Sequence, residues 1–246
     1  DHRDLHSFPT RRSSDLQFGK TISKDTNEKI RSFSALLEQE KIEGIIEWIP
    51  TYTTISIYYD PTVISFETLR THLHSIYEKL SRVQIPPADV TTIPVCYGGK
   101  YGPDLATVAH HNGITEEEVI RIHTSTNYLI YMMGFSPGFP YLGGMSEKIA
   151  TPRLASPRKK ILAGSVGIAG SQTGIYPSDS PGGWQIIGRT PLKLYQPNSH
   201  PPILLRVGNY VRFRSITEKE YEKLKEAIAE RKYQPEIKPY KEEVNS

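Results

Sequence analysis

Cysteine is nearly missing from this chain of 246 residues, since Cys96 is its only example. One cysteine excludes an internal disulfide framework and a cysteine-rich zinc site. Such scarcity fits a reducing compartment, and we predict a cytoplasmic location. Long apolar runs are missing as well. The longest, at residues 128–135, is strand-sized and far shorter than the roughly 18–20 residues of a membrane-spanning helix.

An excess of one charge is also lacking, because 30 Lys and Arg stand against 27 Asp and Glu, a net charge of +3. This balance gives no support to a nucleic-acid or membrane partner, and we predict neither. What the chain does have is material for a core, with 37% hydrophobic and 10% aromatic residues. That composition suits one large or two small globular domains.

The first 16 residues are polar and aperiodic, and residue 1 is not methionine. They lack the apolar centre of a signal peptide. Residues 7–16, SFPTRRSSDL, read as the in-frame translation of a common sequencing-library adapter. We therefore hypothesise that residues 1–16 are a foreign leader fused to a truncated gene. A continuous reading frame through Leu16 in the genomic DNA would disprove this hypothesis.

The periodicity of apolar residues from 22 to 96 predicts a helix, two strands, a second helix and a third strand. Their ranges are 22–42, 45–49, 53–59, 65–80 and 91–96. One strand ahead of them, with Gln17 to Gly19 as its tail, would complete a ferredoxin-like βαββαβ order. We predict a small ferredoxin-like α/β domain at 17–90 that has lost most of its first strand.

From residue 91 to 232 we predict a second domain, followed by a tail at 233–246. It begins with two short helical patterns, for which Asp104 and Thr115 are the expected caps. Further on, short apolar runs alternate with turns, and eleven of the 18 glycines lie between 134 and 188. Short strands broken by turn residues predict a compact β-barrel or sandwich, and the whole chain is assigned to the α+β class.

The helix pair at 104–123 imitates a helix-turn-helix. Its second helix would present Glu116, Glu117 and Glu118 to DNA, and phosphates would repel these carboxylates. We therefore interpret this pair as structural.

A glycine-rich run at 164–174 has two interpretations. The amides of Gly164, Gly167 and Gly170 would cradle an anion, or the glycines form tight turns and a bulge between strands. The run lacks the Lys-Ser/Thr ending of a nucleotide-binding P-loop, and no helix follows it. Taken alone, the motif favours the turn interpretation.

Three arginines, Arg153, Arg158 and Arg189, each lie next to or near Pro or Gly on predicted loops. Guanidinium groups bind carboxylate or phosphate through two parallel hydrogen bonds. The alternative is that they are ordinary exposed loop charges. Polar contacts and an aromatic wall for a bound substrate are expected from Gln172, Tyr176, Ser180 and Trp184.

His123, at a helix end before a strand, is the best-placed candidate for acid–base chemistry. The alternative is a histidine stabilised by the helix dipole. The other histidines lack a ligand set, so we predict no metal site. No GxSxG motif is present and Cys96 has no companion signature, so no independent hydrolase triad is visible.

Several long strings resemble the allophanate hydrolase subunit 1 family, also called the KipI family, whose bacterial members include the B subunit of 5-oxoprolinase. They are MGFSPGFPYL (133–142), AGSVGIAG (163–170), QTGIYP (172–177), SPGGW (180–184) and GRT (188–190). The resemblance covers about residues 17–230. It implies a small α/β domain followed by a cyclophilin-like, carboxyltransferase-type β-barrel.

The resemblance also implies one component of an ATP-dependent 5-oxoprolinase, which hydrolyses 5-oxo-L-proline to L-glutamate together with the A and C subunits. The chain alone is then inactive, and ATP, with Mg, is bound in the complex. In that reaction the three arginines and His123 are the expected catalytic residues.

Two other functions stay open. The family includes an inhibitor of a sporulation histidine kinase, for which Phe135, Phe139 and Tyr141 would line a partner groove. The family name also points to urea or allophanate processing.

Overall fold

The computed structural model describes residues 13–80 and 87–241, and contacts divide the chain into two compact units at Pro87. The helices are α1 (Lys24–Glu40), α2 (Phe66–Lys79), α3 (Leu105–Asn112), α4 (Glu116–Thr124) and α5 (Glu218–Ala229). The strands are β1 (Ser13–Gln17), β2 (Ile45–Pro50), β3 (Thr54–Tyr59), β4 (Asp89–Tyr97), β5 (Asn127–Met133), β6 (Pro140–Gly143), β7 (Arg158–Ile161), β8 (Ser165–Ala169), β9 (Gln172–Ile175), β10 (Ser180–Gly182), β11 (Gln185–Arg189), β12 (Tyr210–Ile216) and β13 (Ile237–Pro239). None of these helices is both long and apolar enough to cross a membrane.

The first unit is an antiparallel sheet in the order β1-β3-β2, which shares one core with α1 and α2. Alternation along β3 buries Ile55 and Ile57, as period-2 patterning predicts. Ser23 and Ser65 cap the two helices by accepting hydrogen bonds from backbone amides three residues on. The two predicted helices and the two predicted strands between them are therefore confirmed.

The first strand, which the sequence predicts to be largely missing, is present at residues 13–17. These residues form β1 and pair with β3, where Ser14 faces Ile57 and Leu16 faces Ile55. Leu16 is buried because it alternates onto the core face of the sheet. The strand ends at Gln17, and Phe18 packs on Phe33 with ring centroids 5.1 Å apart. Residues 1–12 lie outside the described residues, so the hypothesis about their origin stays a prediction.

The expectation that residues 91–96 complete a ferredoxin-like sheet is also wrong. This segment lies in β4, which belongs to the second unit and pairs with β12, β11 and β13. Residues 93–96 of β4 are all buried. A continuous buried run is typical of a strand covered on both faces, and element order alone cannot tell which sheet receives it.

In the second unit, seven strands close a barrel in the order β4-β11-β8-β9-β6-β5-β12 and back to β4, while β13 pairs with residues 89–91 of β4. The prediction of a β-barrel is therefore confirmed. Its largest core cluster includes side chains such as Ile93, Tyr128, Ile168 and Phe213 together with residues of α3 and α4. Thr115 caps α4, as expected, by accepting a hydrogen bond from the Glu118 amide at 3.2 Å.

Candidate functional site

An aromatic cluster packs beside the hairpin of β8 and β9. The ring of Trp184 lies 5.7 Å from that of Phe139 and 6.2 Å from that of Tyr176, centroid to centroid, and both pairs meet edge to face. Gly174 makes room for this packing, because a Cβ there would lie only 3.1 Å from the Trp184 ring. Phe139, Tyr176 and Trp184 are all buried, so they form a rigid wall and not an open slot.

Two of the three predicted arginines meet at this wall. The exposed Arg153 places its guanidinium carbon 6.0 Å from the centre of a Trp184 ring, within the range of a cation–π contact. Arg158 donates to the carbonyl of Trp184 at 3.4 Å. Burial raises the pKa of the Tyr176 hydroxyl, and the charges of both arginines oppose that rise. The structure therefore brings Arg153, Arg158, Tyr176 and Trp184 together.

Arg189 does not share these contacts. Gln185 and Arg189 are the two ends of β11, which are about 13 Å apart at the usual rise of 3.3 Å per residue. Burial raises the pKa of Tyr221, and Arg189 opposes that rise, so the guanidinium lies on the α5 side of the strand. The structure therefore brings Arg153 and Arg158 together and places Arg189 apart from them.

Asp104 is a site residue that the sequence interpretation missed. Its Oδ1 accepts a hydrogen bond from Arg158 Nη2 at 2.7 Å, and its Oδ2 accepts one from the Ile186 amide at 2.6 Å. Asp104 is the N-cap residue of α3, as expected, but its side chain makes no cap hydrogen bond to that helix. An Asp before a helix is typical of a cap, and neither of the two partners, 54 and 82 residues away, leaves a local signal.

Gln185 is the second missed residue, and it fixes the segment that carries Arg153. Its Nε2 donates to the carbonyl of Pro152 at 3.0 Å, and the amide of Leu154 donates to the carbonyl of Gly183 at 2.7 Å. These two bonds hold the chain on either side of Arg153 against the barrel. The Gln185 Oε1 atom is buried without a hydrogen-bond partner.

The predicted anion cradle at Gly164, Gly167 and Gly170 is not formed. The Gly164 amide donates to the Tyr176 carbonyl at 2.7 Å, and the Gly170 amide donates to the Thr151 carbonyl at 2.8 Å. Gly167 lies within β8, which pairs with β9 on one side and β11 on the other. These amides are committed to the barrel, as the turn interpretation predicted, so anion recognition at this site falls to side chains.

The two remaining predicted contact residues lie at strand ends. Gln172 begins β9 and is half-buried. Ser180 begins β10, and its hydroxyl donates to the carbonyl of Pro181 at 3.2 Å.

His123 is fully buried in the barrel core. Its Nδ1 lies 2.7 Å from the Tyr97 hydroxyl and its Nε2 lies 2.8 Å from the Thr173 hydroxyl. Thr173 gives its own proton to the Gly167 carbonyl at 3.1 Å, so the proton between His123 and Thr173 belongs to Nε2. The Tyr97 hydroxyl then donates to Nδ1, and the imidazole is neutral.

Burial lowers the pKa of His123 to about 3. A ring with no exposed surface and such a pKa does not exchange protons with a substrate at neutral pH, so the predicted acid–base role is corrected. A neutral ring also does not supply the cation that a helix dipole would stabilise. His123 instead stacks on Phe213, with ring centroids 4.3 Å apart, as a hydrogen-bonded core residue.

The predicted partner groove is a ridge with a single exposed ring. Phe135 is 68% exposed, Phe139 is 3% exposed and Tyr141 is half-buried. Phe135 occupies the left-handed region with φ +65°, and the Ser136 amide donates to the Gly134 carbonyl at 2.7 Å to close a three-residue turn. Ring contacts of 5.5 and 5.7 Å connect Phe135 through Phe139 to Trp184.

Comparisons with known proteins support one family. The model of the carboxyltransferase domain, subdomain C and D, matches residues 9–205. The B subunit of 5-oxoprolinase from Bacillus subtilis (strain 168) is 46% identical over 221 residues, which are 86% of this chain and 92% of that protein. This chain belongs to the carboxyltransferase domain, subdomain C and D, family. The predicted resemblance to the B subunit of 5-oxoprolinase is thereby confirmed.

Two solved structures share the fold. The crystal structure of TTHA0988 has a TM-score of 0.74 at 34% identity, and the match covers 83% of this chain and 40% of that one. The urea carboxylase of Kluyveromyces lactis has a TM-score of 0.67 at 19% identity, with 96% of this chain and 25% of that chain covered. The chain thus spans less than half the length of either protein, and the second likeness shows the fold alone.

The residues of the site can be compared with the needs of the ATP and Mg that 5-oxoprolinase activity implies. In the described residues, the glycine-rich run is a hairpin and offers no phosphate-binding loop. No group of three His, Cys, Asp or Glu side chains within 13–80 and 87–241 is placed to hold a metal ion. Arg153 and the Trp184 ring offer a guanidinium beside an indole, and a guanidinium binds either a carboxylate or a phosphate.

Proposed function

We propose that this chain is the B subunit of a 5-oxoprolinase, which hydrolyses 5-oxo-L-proline to L-glutamate in an ATP-dependent reaction. The observation that carries the proposal is the 46% identity across 92% of a relative with that name. Such a role implies partner chains, and we assign these to the A and C subunits. We expect the chain to be inactive alone and to work in the cytoplasm.

Arg153 and the aromatic wall are the proposed substrate contacts. 5-Oxoproline carries one carboxylate on a flat, largely apolar ring, so a guanidinium beside an indole matches both parts. Arg153 is exposed, and its guanidinium lies beside the Trp184 ring, where it can bind the carboxylate of a substrate packed on that ring. Arg158 is already paired with Asp104, so we assign it the role of positioning Trp184, whose carbonyl accepts its hydrogen bond.

The chemistry explains why positive charge belongs there. A lactam is a poor electrophile, and transfer of a phosphoryl group from ATP to its oxygen, which releases ADP, makes attack by water on the same carbon feasible. Negative charge then develops on the oxygens around the reacting carbon, and the positive charge of Arg153 stabilises it. Phosphate then leaves, and the C–N bond breaks as the nitrogen takes up a proton. Because the described residues contain no phosphate-binding loop, we propose that the partner chains supply the site for ATP and Mg.

The decisive experiment reconstitutes the full chain with the purified A and C subunits and measures ATP-dependent glutamate formation. Arg153→Ala should lower kcat/KM by about 100-fold, as removal of one stabilising donor commonly does. Lys159→Ala removes another exposed charge, six positions along, and should leave the rate within about twofold. Complex formation is checked by size-exclusion chromatography for each variant.

Two results would contradict the proposal at different levels. If the wild-type assembly makes no glutamate, the assigned function is wrong. If Arg153→Ala keeps full activity in an intact complex, the function stands and the assigned site is wrong.

Phe135 favours a second, protein-binding role. An exposed ring held in a strained turn is typical of a site where function, and not folding, sets the conformation. In the assembly, we assign this ridge to the contact with a partner chain. Inhibition of a sporulation histidine kinase is the alternative use of the same ridge, and kinase autophosphorylation with and without the chain separates the two.

For urea or allophanate processing, the 19% likeness carries no functional argument.

A further inference from the structure

A cavity of about 620 Å³ lies beside the start of β4, and it shares no residue with the Arg153–Trp184 site. Its walls come from the start of β4, from the segment 196–209 and from residues 231–237, which follow α5. Every residue of this lining lies inside the continuous described segment 87–241. The volume is in the range of pockets that bind small molecules, and the mouths of β-barrels are a common place for such pockets.

The alternation of β4 connects this cavity with the barrel core. Asp89 and Thr91 line the cavity, whereas Val90, between them, does not. The register of β4 with β12 is regular from residue 90 to 96, so alternate side chains keep to one face of the strand. That face carries the core residues Ile93 and Val95. The side chains of Asp89 and Thr91 therefore point into a cavity at the end of the barrel core.

The Thr91 hydroxyl gives an independent indication of a ligand. Only 5% of this residue is exposed, and its hydroxyl forms no hydrogen bond with the part of the chain that the structure describes. A buried polar group without a partner costs free energy, so its presence in a native protein calls for an explanation. A ligand oxygen in the cavity would accept the hydrogen bond that this hydroxyl can donate.

Three charged side chains line the cavity without pairing with one another. They are Asp89 on β4, Arg206 before β12 and Arg231 after α5. Within residues 13–80 and 87–241, none of the three forms an ion pair. Asn209 lies between two of them, because its Oδ1 accepts from the Asp89 amide at 3.2 Å and its amide donates to the Arg206 carbonyl at 3.2 Å. Two positive charges and one negative charge thus share one concave surface, with room for a ligand between them.

We propose that this cavity binds an acidic amino acid, with its two carboxylates at Arg206 and Arg231 and its ammonium group at Asp89. A guanidinium binds a carboxylate through two parallel hydrogen bonds, and each charge of this class of ligand meets an opposite charge in the cavity. The Thr91 hydroxyl donates to one of the carboxylate oxygens. The inference assigns a second site, and binding there does not depend on the proposed oxoprolinase function.

Isothermal titration calorimetry of the full chain with L-glutamate tests the proposal. L-Glutamate is also the product of the proposed reaction, so the titrations use the variant Arg153→Ala, which lacks the guanidinium of the other site. This protein should bind one L-glutamate, with an affinity that falls as salt is raised because salt screens the charges. Adding Arg206→Gln and Arg231→Gln should weaken binding by at least about tenfold. The control adds Lys219→Gln and Lys223→Gln, at exposed positions outside the cavity, and should bind within about twofold.

Two analogues test the assignment of the ligand's charges. Glutarate has both carboxylates but no ammonium group, and L-glutamine has lost one carboxylate. Both should bind at least about tenfold more weakly than L-glutamate. Asp89→Asn should weaken the binding of L-glutamate and leave that of glutarate unchanged, because only the ammonium group contacts Asp89.

Three results would each overturn the proposal. They are absence of L-glutamate binding, equal binding by the variant that lacks both cavity arginines, and binding of glutarate as tight as that of L-glutamate. Far-UV circular dichroism checks that each variant is folded, and the single variant Arg231→Gln, at an exposed position, replaces the double variant if that one unfolds. None of these results bears on the oxoprolinase assignment, which the reconstituted assembly tests separately.

Discussion

The buried neutral His123 should make the stability of the barrel unit depend on pH. In the folded protein its pKa is about 3, whereas an unfolded chain has the ordinary value of about 6.5. Between these values the unfolded state binds a proton that the folded state does not. Stability therefore rises with pH across this window and falls as the solution is acidified from pH 6.5 toward pH 3.

The size of the effect follows from the two pKa values. Linkage gives a loss of about 2 kcal/mol between pH 7 and pH 5 from this one group. Urea unfolding at the two pH values measures it, with the variant His123→Gln as the comparison. Gln retains a donor and an acceptor, so the variant can keep part of the bonding to Tyr97 and Thr173, but it does not titrate.

Other groups titrate in the same range, but they are common to both proteins and cancel in the difference. Wild type should lose about 2 kcal/mol more than His123→Gln on going from pH 7 to pH 5. An equal loss in both proteins would refute the reasoning, because His123 would then titrate alike in the folded and unfolded states. Far-UV circular dichroism at each pH confirms that the starting states are folded.

Three further predictions concern single residues. Asp104→Asn removes the negative charge that pairs with Arg158, so the free energy of unfolding, measured by chemical denaturation, should fall by about 2 kcal/mol. The control Asp25→Asn lies in the exposed first turn of α1 and should change that free energy by less than about 0.5 kcal/mol. Gly182→Ala places a Cβ against the Tyr176 hydroxyl and 2.8 Å from Ile161 Cδ1. The melting temperature should therefore fall, with a loss of about 1–3 kcal/mol in the free energy of unfolding. An unchanged melting temperature would show that the aromatic wall moves to make room for the methyl group. Phe135→Gly removes the strain of a left-handed backbone at a non-glycine residue, so the free energy of unfolding should stay the same or rise by up to about 1 kcal/mol. Binding to the partner chains, measured in a pull-down, should weaken. Retained binding would exclude Phe135 as the residue that anchors the partner contact.

The sequence predicts where the helices and strands lie better than it predicts which strands pair with one another. Helix and strand periodicity located α1, β3 and α2 because amphipathic patterns are local. The destination of β4 was missed, since its pairing with β12 joins residues about 120 positions apart and no local pattern encodes it. Leu16 belongs to the adapter-like residues by sequence, although its alternation with Ser14 fits the core face of β1.

In the candidate site, too, the sequence reveals residue types but not their long-range contacts. Arg153, Arg158, Tyr176 and Trp184 were selected by residue type, and the structure brings these four together. Asp104 and Gln185 are not predicted, because each forms a hydrogen bond with a backbone group that is distant in sequence and comes close only in the folded chain. The sequence favours His123 for acid–base chemistry from its residue type and its place at a helix end, and it does not reveal the burial that keeps the ring neutral.

The parallel pairing of β4 with β12 has a consequence for synthesis on the ribosome. Val90 of β4 pairs with Tyr210 of β12, so it cannot form this pairing until 120 further residues have been synthesised. At about 5–20 residues per second, β4 stays without this neighbour for roughly 6–24 s after it is made. For that interval the apolar strand at 93–96 is an unprotected edge, so chaperones that shield exposed strands should bind this chain most strongly before residue 216 emerges.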